Sequence, residues 1–336
     1  MADCGFSNTI NTILTDPVPL HGRQRQNPEG PVFIPGPSGW IPGPCVIAAA
    51  VILLVASLCL HVAPAGARDL EEVRATGVLR HIGITYANFV TAVPEIPDDG
   101  EEIERRIGDG LAVELVQRFA KFLDVRYEFV LSNWYRAIGD ITDNNTRGDL
   151  IAGGMVLPSG RDPAVAFSDP IFPTQVWVVA CVDFPVQPIR PSGDLTDDIR
   201  RLRNTLRGRS ILCIENSGLD PALFDLEKNG ANVRPLVGYP DELASALIDK
   251  KADMSLLYAP DALIAMEKWP GKIKVMGPIS GKQEIAVAFR KDAPKLRKAF
   301  NDFFAQLKKE GAYDRLVRKY YPTVFDYFPE FFKKKN

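Results

Sequence analysis

Apolar positions along the chain change period repeatedly, and each change marks an element. An uncharged apolar block runs from Cys45 to Leu60. Past it, Leu70-Glu71-Glu72-Val73 reads as a short helix and Leu79 to Ile84 as a strand. Leu111, Leu115, Phe119 and Phe122 fall on one face of a helix over 111–123, the spacing of a helix lying on a sheet. Tyr127 to Val130 alternates as a strand should, and Leu150-Ile151-Ala152 is a short buried strand stopped by Gly153-Gly154. The β-rich run Gln175 to Cys181 precedes a loop over 185–194 whose prolines mark a domain boundary. Beyond it come a helix over 197–206, the strand Ser210 to Ile214, a strand at Val233 to Leu236, a helix over 241–250, and the strand Ala252 to Tyr258. The strand Ile285 to Arg290 leads into an amphipathic helix carrying Leu296, Phe300, Phe303, Phe304 and Leu307, capped by Gly311, and a last helix spans 312–320. The aromatic tail TVFDYFPEFF is expected to pack over the first lobe or to form an exposed docking surface.

The leader changes the picture of the first 67 residues. Residues 1–44 are rich in Pro, Gly and Asn, without a periodic apolar face, and read as unstructured. Arg23 and Arg25, the apolar block and Ala65-Gly66-Ala67 follow the layout of a secretory signal, which points to the periplasm; a retained inner-membrane anchor is the alternative.

Composition mainly excludes. At 336 residues, 46% hydrophobic and 24% charged, the chain has an ordinary globular make-up and room for one large or two ordinary domains. A net charge of -2 and a pI near 6.0 supply no basic field for nucleic acid. Of five cysteines only Cys181 and Cys213 lie in the body, as free thiols or a disulfide, and none has zinc spacing. His81 is the one histidine past the leader, which removes most histidine-based metal sites and catalytic triads; no metal or cofactor is expected.

The densest chemistry lies in Gly148 to Phe172, GDLIAGGMVLPSGRDPAVAFSDPIF. Two glycines at a strand end let a ligand approach main-chain N–H groups. Arg161 offers a permanently charged fork suited to a carboxylate, or else pairs at the surface with Asp162 or Asp169. The order Asp149, Ile151, Gly154-Met155, Arg161, Val165, Phe167-Ser168-Asp169-Pro170 and Phe172 resembles the bacterial extracellular solute-binding protein family 3, the amino-acid-type periplasmic receptors of ABC transporters. Gly110 to Leu115, Trp134 with Ile138, and Gly208 to Leu212 resemble further family motifs, and the likeness covers 78–322.

The resemblance implies a type II periplasmic binding protein-like α/β fold, two α/β lobes joined by two hinge strands. Lobe 1 is expected at 68–180 with 286–336 and lobe 2 at 181–285, with Gln175 to Cys181 and Ile285 to Arg290 as the hinges. Carried over residue by residue, it implies that Phe89, and less directly Tyr86, stacks on the ligand, with Trp134 in the core or the cleft wall. Gly154 and Met155 would supply main-chain contacts, Arg161 a carboxylate partner and Ser217 a donor from the opposite lobe, with Tyr258 walling the pocket. Tyr258 stands where amino-acid receptors of the family carry an aspartate for the ligand ammonium, so an α-amino acid is in doubt unless Asp261 turns into the cleft. The expected function is a monomeric, non-enzymatic receptor closing on a small anionic, carboxylate-bearing solute for an ABC permease. The alternatives are an accessory protein of a periplasmic oxidation system, or a cyclohexadienyl dehydratase-like enzyme using Glu215.

Overall fold

The computed structural model describes residues 68–91, 108–143, 146–157, 164–238 and 240–333. All of them lie within one compact unit, Pro64–Asn336. The expected leader, most of the acidic stretch between Thr91 and Asp109, and Arg161 lie outside the described residues. No described helix is long and apolar enough to cross a membrane.

Helix α1 (Leu70–Thr76) opens on a capping box, in which the Asp69 side chain and Glu72 satisfy each other's backbone N–H groups, and ends at Gly77 with φ of 66°. Strand β1 (Val78–Ile84) leads to α2 (Leu111–Phe122), β2 (Arg126–Ser132), α3 (Ala137–Thr142), β3 (Leu150–Ile151) and β4 (Val165–Phe167). With β12 (Ala288–Arg290) these strands form a sheet of order β2-β1-β3-β12-β4. In it β1 runs parallel to β2 and β3, whereas β12 is antiparallel to β3 and β4. Covering it are α7 (Pro294–Lys309) and α8 (Ala312–Tyr320), whose Phe300, Phe303, Phe304 and Tyr313 meet Phe119 and Phe289 in an aromatic core. Gly311, at φ 66°, sits in the left-handed region and closes α7 by donating to Lys308 O.

The second sheet repeats the plan with the order β10-β6-β9-β7-β8. Its strands are β6 (Val176–Cys181), β7 (Ser210–Cys213), β8 (Asn232–Pro235), β9 (Met254–Tyr258) and β10 (Ile273–Pro278). Here β7 is parallel to β8 and β9, and β6 is antiparallel to β9 and β10. Helices α4 (Leu195–Asn204), α5 (Pro240–Ile248) and α6 (Ala259–Lys268) pack around it. In both sheets the strand just after a crossing, β6 or β12, is the antiparallel one, because the chain enters from the other lobe rather than over a helix.

The crossing itself is a ribbon of β5 (Phe172–Thr174) and β11 (Gln283–Ile285), antiparallel and in register Thr174 with Gln283 and Phe172 with Ile285. This corrects the hinges read from the sequence: Val176–Cys181 lies wholly inside the second sheet and Ala288–Arg290 inside the first. Every residue of β6 is buried, as a strand covered on both faces must be, and its apolar run signals that burial rather than a crossing. The first crossing therefore falls at 172–175, ahead of the expected boundary at 180, and the proline-rich loop over 185–194 lies inside the second lobe, where Ile189 N donates to Met276 O. The tail differs as well. Helices α9 (Val324–Tyr327) and α10 (Pro329–Phe332) reach the second lobe, where Phe328 stacks on Trp177 at 5.7 Å and Tyr327 meets the same indole at a tilt, 5.0 Å away.

Candidate functional site

Parallel strands of open α/β sheets deliver ligand-binding loops at their carboxyl ends. In the first sheet β1 ends at Ile84 and β3 at Ile151, placing Tyr86 and Gly153-Gly154 side by side. In the second, β7 ends just before the turn Glu215-Asn216-Ser217-Gly218 and β9 ends at Tyr258, the N-cap of α6. One contact joins the two groups directly: the Tyr86 hydroxyl donates to Asp261 Oδ2 at 2.9 Å.

Tyr86 is held on three sides. Its ring stacks on Phe89 at 5.8 Å with an interplanar angle of 1°, and the Trp134 indole meets it edge-on at 5.7 Å. The tight turn Tyr86–Val90, with Ala87 in the left-handed region at φ 44°, closes beneath it. Burial, reinforced by the Asp261 carboxylate, raises the phenol well above its ordinary value, so the proton stays on the oxygen. Asp261 itself is 6% exposed in the first turn of α6, where the helix dipole favours a carboxylate.

Phe89 has no exposed surface and sits among Tyr86, Phe172 and Tyr321, so in this conformation the ring expected to stack on a ligand is a core residue supporting Tyr86. Gly154 takes φ 93°, and a Cβ there would lie 2.2 Å from Tyr86 Cδ1: the tyrosine ring covers the backbone that the glycine leaves bare. Met155 follows, its carbonyl accepting from Ala286 N beside the hinge ribbon. Ser217 is half-buried, with its hydroxyl donating to Ile214 O at 2.7 Å and accepting from Leu219 N at 3.0 Å, so its hydrogen bonds close its own turn. Tyr258 presses its hydroxyl on Gly218, where a Cβ would come within 1.7 Å, and burial beside Asp261 pushes its phenol up to about 12. Glu215, the acid or base candidate, is exposed.

The structure thus brings Gly154, Tyr86, Asp261 and Tyr258 together where the lobes touch, and places Phe89 beneath Tyr86. Sequence reasoning ranked Tyr86 behind Phe89 and left Asp261 open. A helix-start signature at Tyr258-Ala259-Pro260-Asp261, with proline in the first turn and an acid behind it, was the available signal that Asp261 follows the strand end by one turn. The hinge ribbon adds two polar atoms, Thr174 Oγ1 and Gln283 Oε1, which are buried without a protein partner and belong to residues paired across the strands. Among the described residues no cluster of three or more His, Cys, Asp or Glu suits a metal.

Comparison with known proteins places this geometry in context. The family model for bacterial extracellular solute-binding proteins, family 3, matches residues 103–323. Among curated relatives, the membrane-bound lytic murein transglycosylase F of Desulfosudis oleivorans is 25% identical over 224 residues, which span 65% of this chain and 46% of that protein. The lysine/arginine/ornithine-binding periplasmic protein of Escherichia coli is 23% identical over 222 residues, 63% of this chain and 78% of the relative. The chain therefore spans under half the length of the transglycosylase. An ancestral cationic amino acid solute-binding protein superposes with a TM-score of 0.56 at 22% identity, over 75% of this chain and 99% of its own. The L-cystine solute receptor of Neisseria gonorrhoeae, in its unliganded open conformation, does so at 0.53 and 20%, over 76% and 98%. At these identities the solved structures establish the fold alone.

Proposed function

Because the chain belongs to the bacterial extracellular solute-binding proteins, family 3, we propose that it is a periplasmic receptor, not an enzyme, that holds a small solute in the groove between its lobes and hands it to an ABC permease. The observation that carries the ligand class is Asp261. Tyr258 removes the carboxylate that amino-acid receptors use at that position, but Asp261 faces the first lobe from the next turn, near enough to take the Tyr86 hydroxyl. A buried ammonium needs such a counter-charge, at a cost of several kcal/mol without one. The solute then carries an amine for Asp261 and a carboxylate for Arg161 and the main chain at Gly154, and an α-amino acid fits. The names of the relatives, which bind lysine, arginine, ornithine or cystine, support this reading.

Calorimetry of the purified protein against basic and neutral amino acids, simple amines and organic acids tests it. Binding is expected for solutes that carry both groups. Asp261→Asn and Arg161→Ala should each weaken it by about 2 kcal/mol or more, roughly 30-fold, as expected for truncating one member of a buried charge pair. Organic acids lacking an amine that bind as tightly as amino acids, with Asp261→Asn indifferent, would sink the amine assignment; no binding by any solute would sink the receptor reading.

A further inference from the structure

We propose that Tyr86 is an internal guest: its hydroxyl occupies Asp261 in the absence of solute, holds the two lobes together, and must be displaced by a donor on the incoming solute. Three observations converge. The Tyr86–Asp261 hydrogen bond is buried and passes between the lobes, linking a loop of the first to a helix of the second at 2.9 Å. The Gly154 backbone, which would receive a ligand at the end of β3, is covered by the Tyr86 ring of the chain itself. Tyr86 is also preorganised for the role, since Phe89 stacks beneath it and Trp134 closes its edge.

The chemistry defines what can replace it. Asp261 accepts from the phenol, so a displacing group must be a hydrogen-bond donor, and a cationic nitrogen is favoured over a second hydroxyl because it adds charge to the bond. An anion alone cannot compete there, since it meets the Asp261 carboxylate with like charge. Tyr86 and Asp261 thereby set specificity together: the aspartate selects a donor, and the tyrosine imposes a threshold that a weak donor does not cross. Because the contact bridges the lobes, it biases the equilibrium between closed and open forms, and a ligand shifts that equilibrium only by its differential affinity for the two states.

Tyr86→Phe tests the proposal because it keeps the ring over Gly154 and removes only the hydroxyl. The full chain is unfolded, dialysed and refolded to strip co-purified solute, and small-angle X-ray scattering is recorded without any ligand. Wild type is expected to scatter as the compact form. Loss of a hydrogen bond to a charged group should lower the closed-to-open ratio about tenfold or more, so Tyr86→Phe should show a larger radius of gyration. An unchanged radius in Tyr86→Phe, or a stripped wild type already as expanded as the variant, overturns the proposal. Tyr86→Leu, which loses the hydroxyl and part of the ring cover, provides a second variant and should expand at least as far. The consequence for specificity rests on the receptor reading and is measured apart from it: Tyr86→Phe should bind an amine-bearing solute more tightly than wild type does, whereas the scattering arm uses no solute and stands if every titration is silent.

Discussion

His81 shows how a residue with no place in the expected chemistry holds the site's frame. It lies in the middle of β1 with no exposed surface, its Nε2 donating to Ala152 O at 2.6 Å while Tyr127 donates its hydroxyl to Nδ1 at 2.8 Å. The two bonds fix the neutral tautomer and anchor the carbonyl just before Gly153-Gly154. Burial lowers its pKa to about 4, against 6.5 for an exposed imidazole, and the Ala152 bond offsets only part of that. Between those two values the unfolded chain binds the proton and the folded protein does not, so stability is greatest above about pH 6.5 and falls as pH drops toward 4. The full span is worth about 3 kcal/mol. Urea unfolding at pH 7.5 and pH 4.5 checks it: wild type should lose more stability on acidification than His81→Gln, whose side chain does not titrate. Equal losses would show that the imidazole carries none of the dependence. Sequence reading used this histidine only to exclude metal sites and catalytic triads; nothing local in Leu79-Arg80-His81-Ile82 announces that its partners come from 46 and 71 residues away.

At the scale of elements, each lobe clamps two neighbouring parallel strands, β1 to β3 and β7 to β9, with an aspartate. Asp149, one residue before β3, accepts the Arg80 backbone N–H and its guanidinium at 2.8 and 2.9 Å, with Arg68 at 3.3 Å. Asp253, one residue before β9, accepts the backbone N–H and hydroxyl of Ser210 at 2.8 Å each. Asp149 belongs to the stretch that carried the family resemblance, yet its work is structural. The two clamps differ in charge, and that predicts a difference in cost. Asp149→Asn leaves two arginines without their counter-charge and should cost roughly 3 kcal/mol or more. Asp253→Asn keeps an acceptor and loses only the charge on it, about 1 kcal/mol. Urea midpoints of the two variants measure this, and equal shifts would refute the assignment of the first clamp to charge.

At the scale of the whole molecule, the described residues pass between the lobes three times: twice through the β5–β11 ribbon and once by the tail. Phe328 is 3% exposed against Trp177, Tyr327 reaches Met266 Sδ on α6 at 3.9 Å, and Lys282 of the hinge region pairs with Glu330. The tail thus packs at the root of the second lobe, next to the β5–β11 ribbon. Phe328→Ala should lower stability by about 3 kcal/mol, the usual cost of deleting a buried ring, and shift the Trp177 emission toward that of a solvated indole. Unfolding followed by tryptophan fluorescence reads both, and an unmoved midpoint with unmoved emission would show that the tail is not seated there.

The sequence alone determined the helices and strands of an α/β chain, because burial imposes a period on each that a short window can read, while the family and the two-lobe plan came from the resemblance carried by the motifs between Asp149 and Phe172. It also placed Gly153-Gly154 just past the end of a strand, and the structure lays the Tyr86 ring over Gly154. What only the tertiary structure decided is where the chain crosses between lobes and which side chains meet in the groove. An apolar run such as Val176–Cys181 looks the same whether it crosses a hinge or fills a sheet, and only its neighbours distinguish the two. Tyr86 and Asp261 stand 175 residues apart on separate lobes, and their meeting depends on how those lobes are set against each other, which no local pattern encodes.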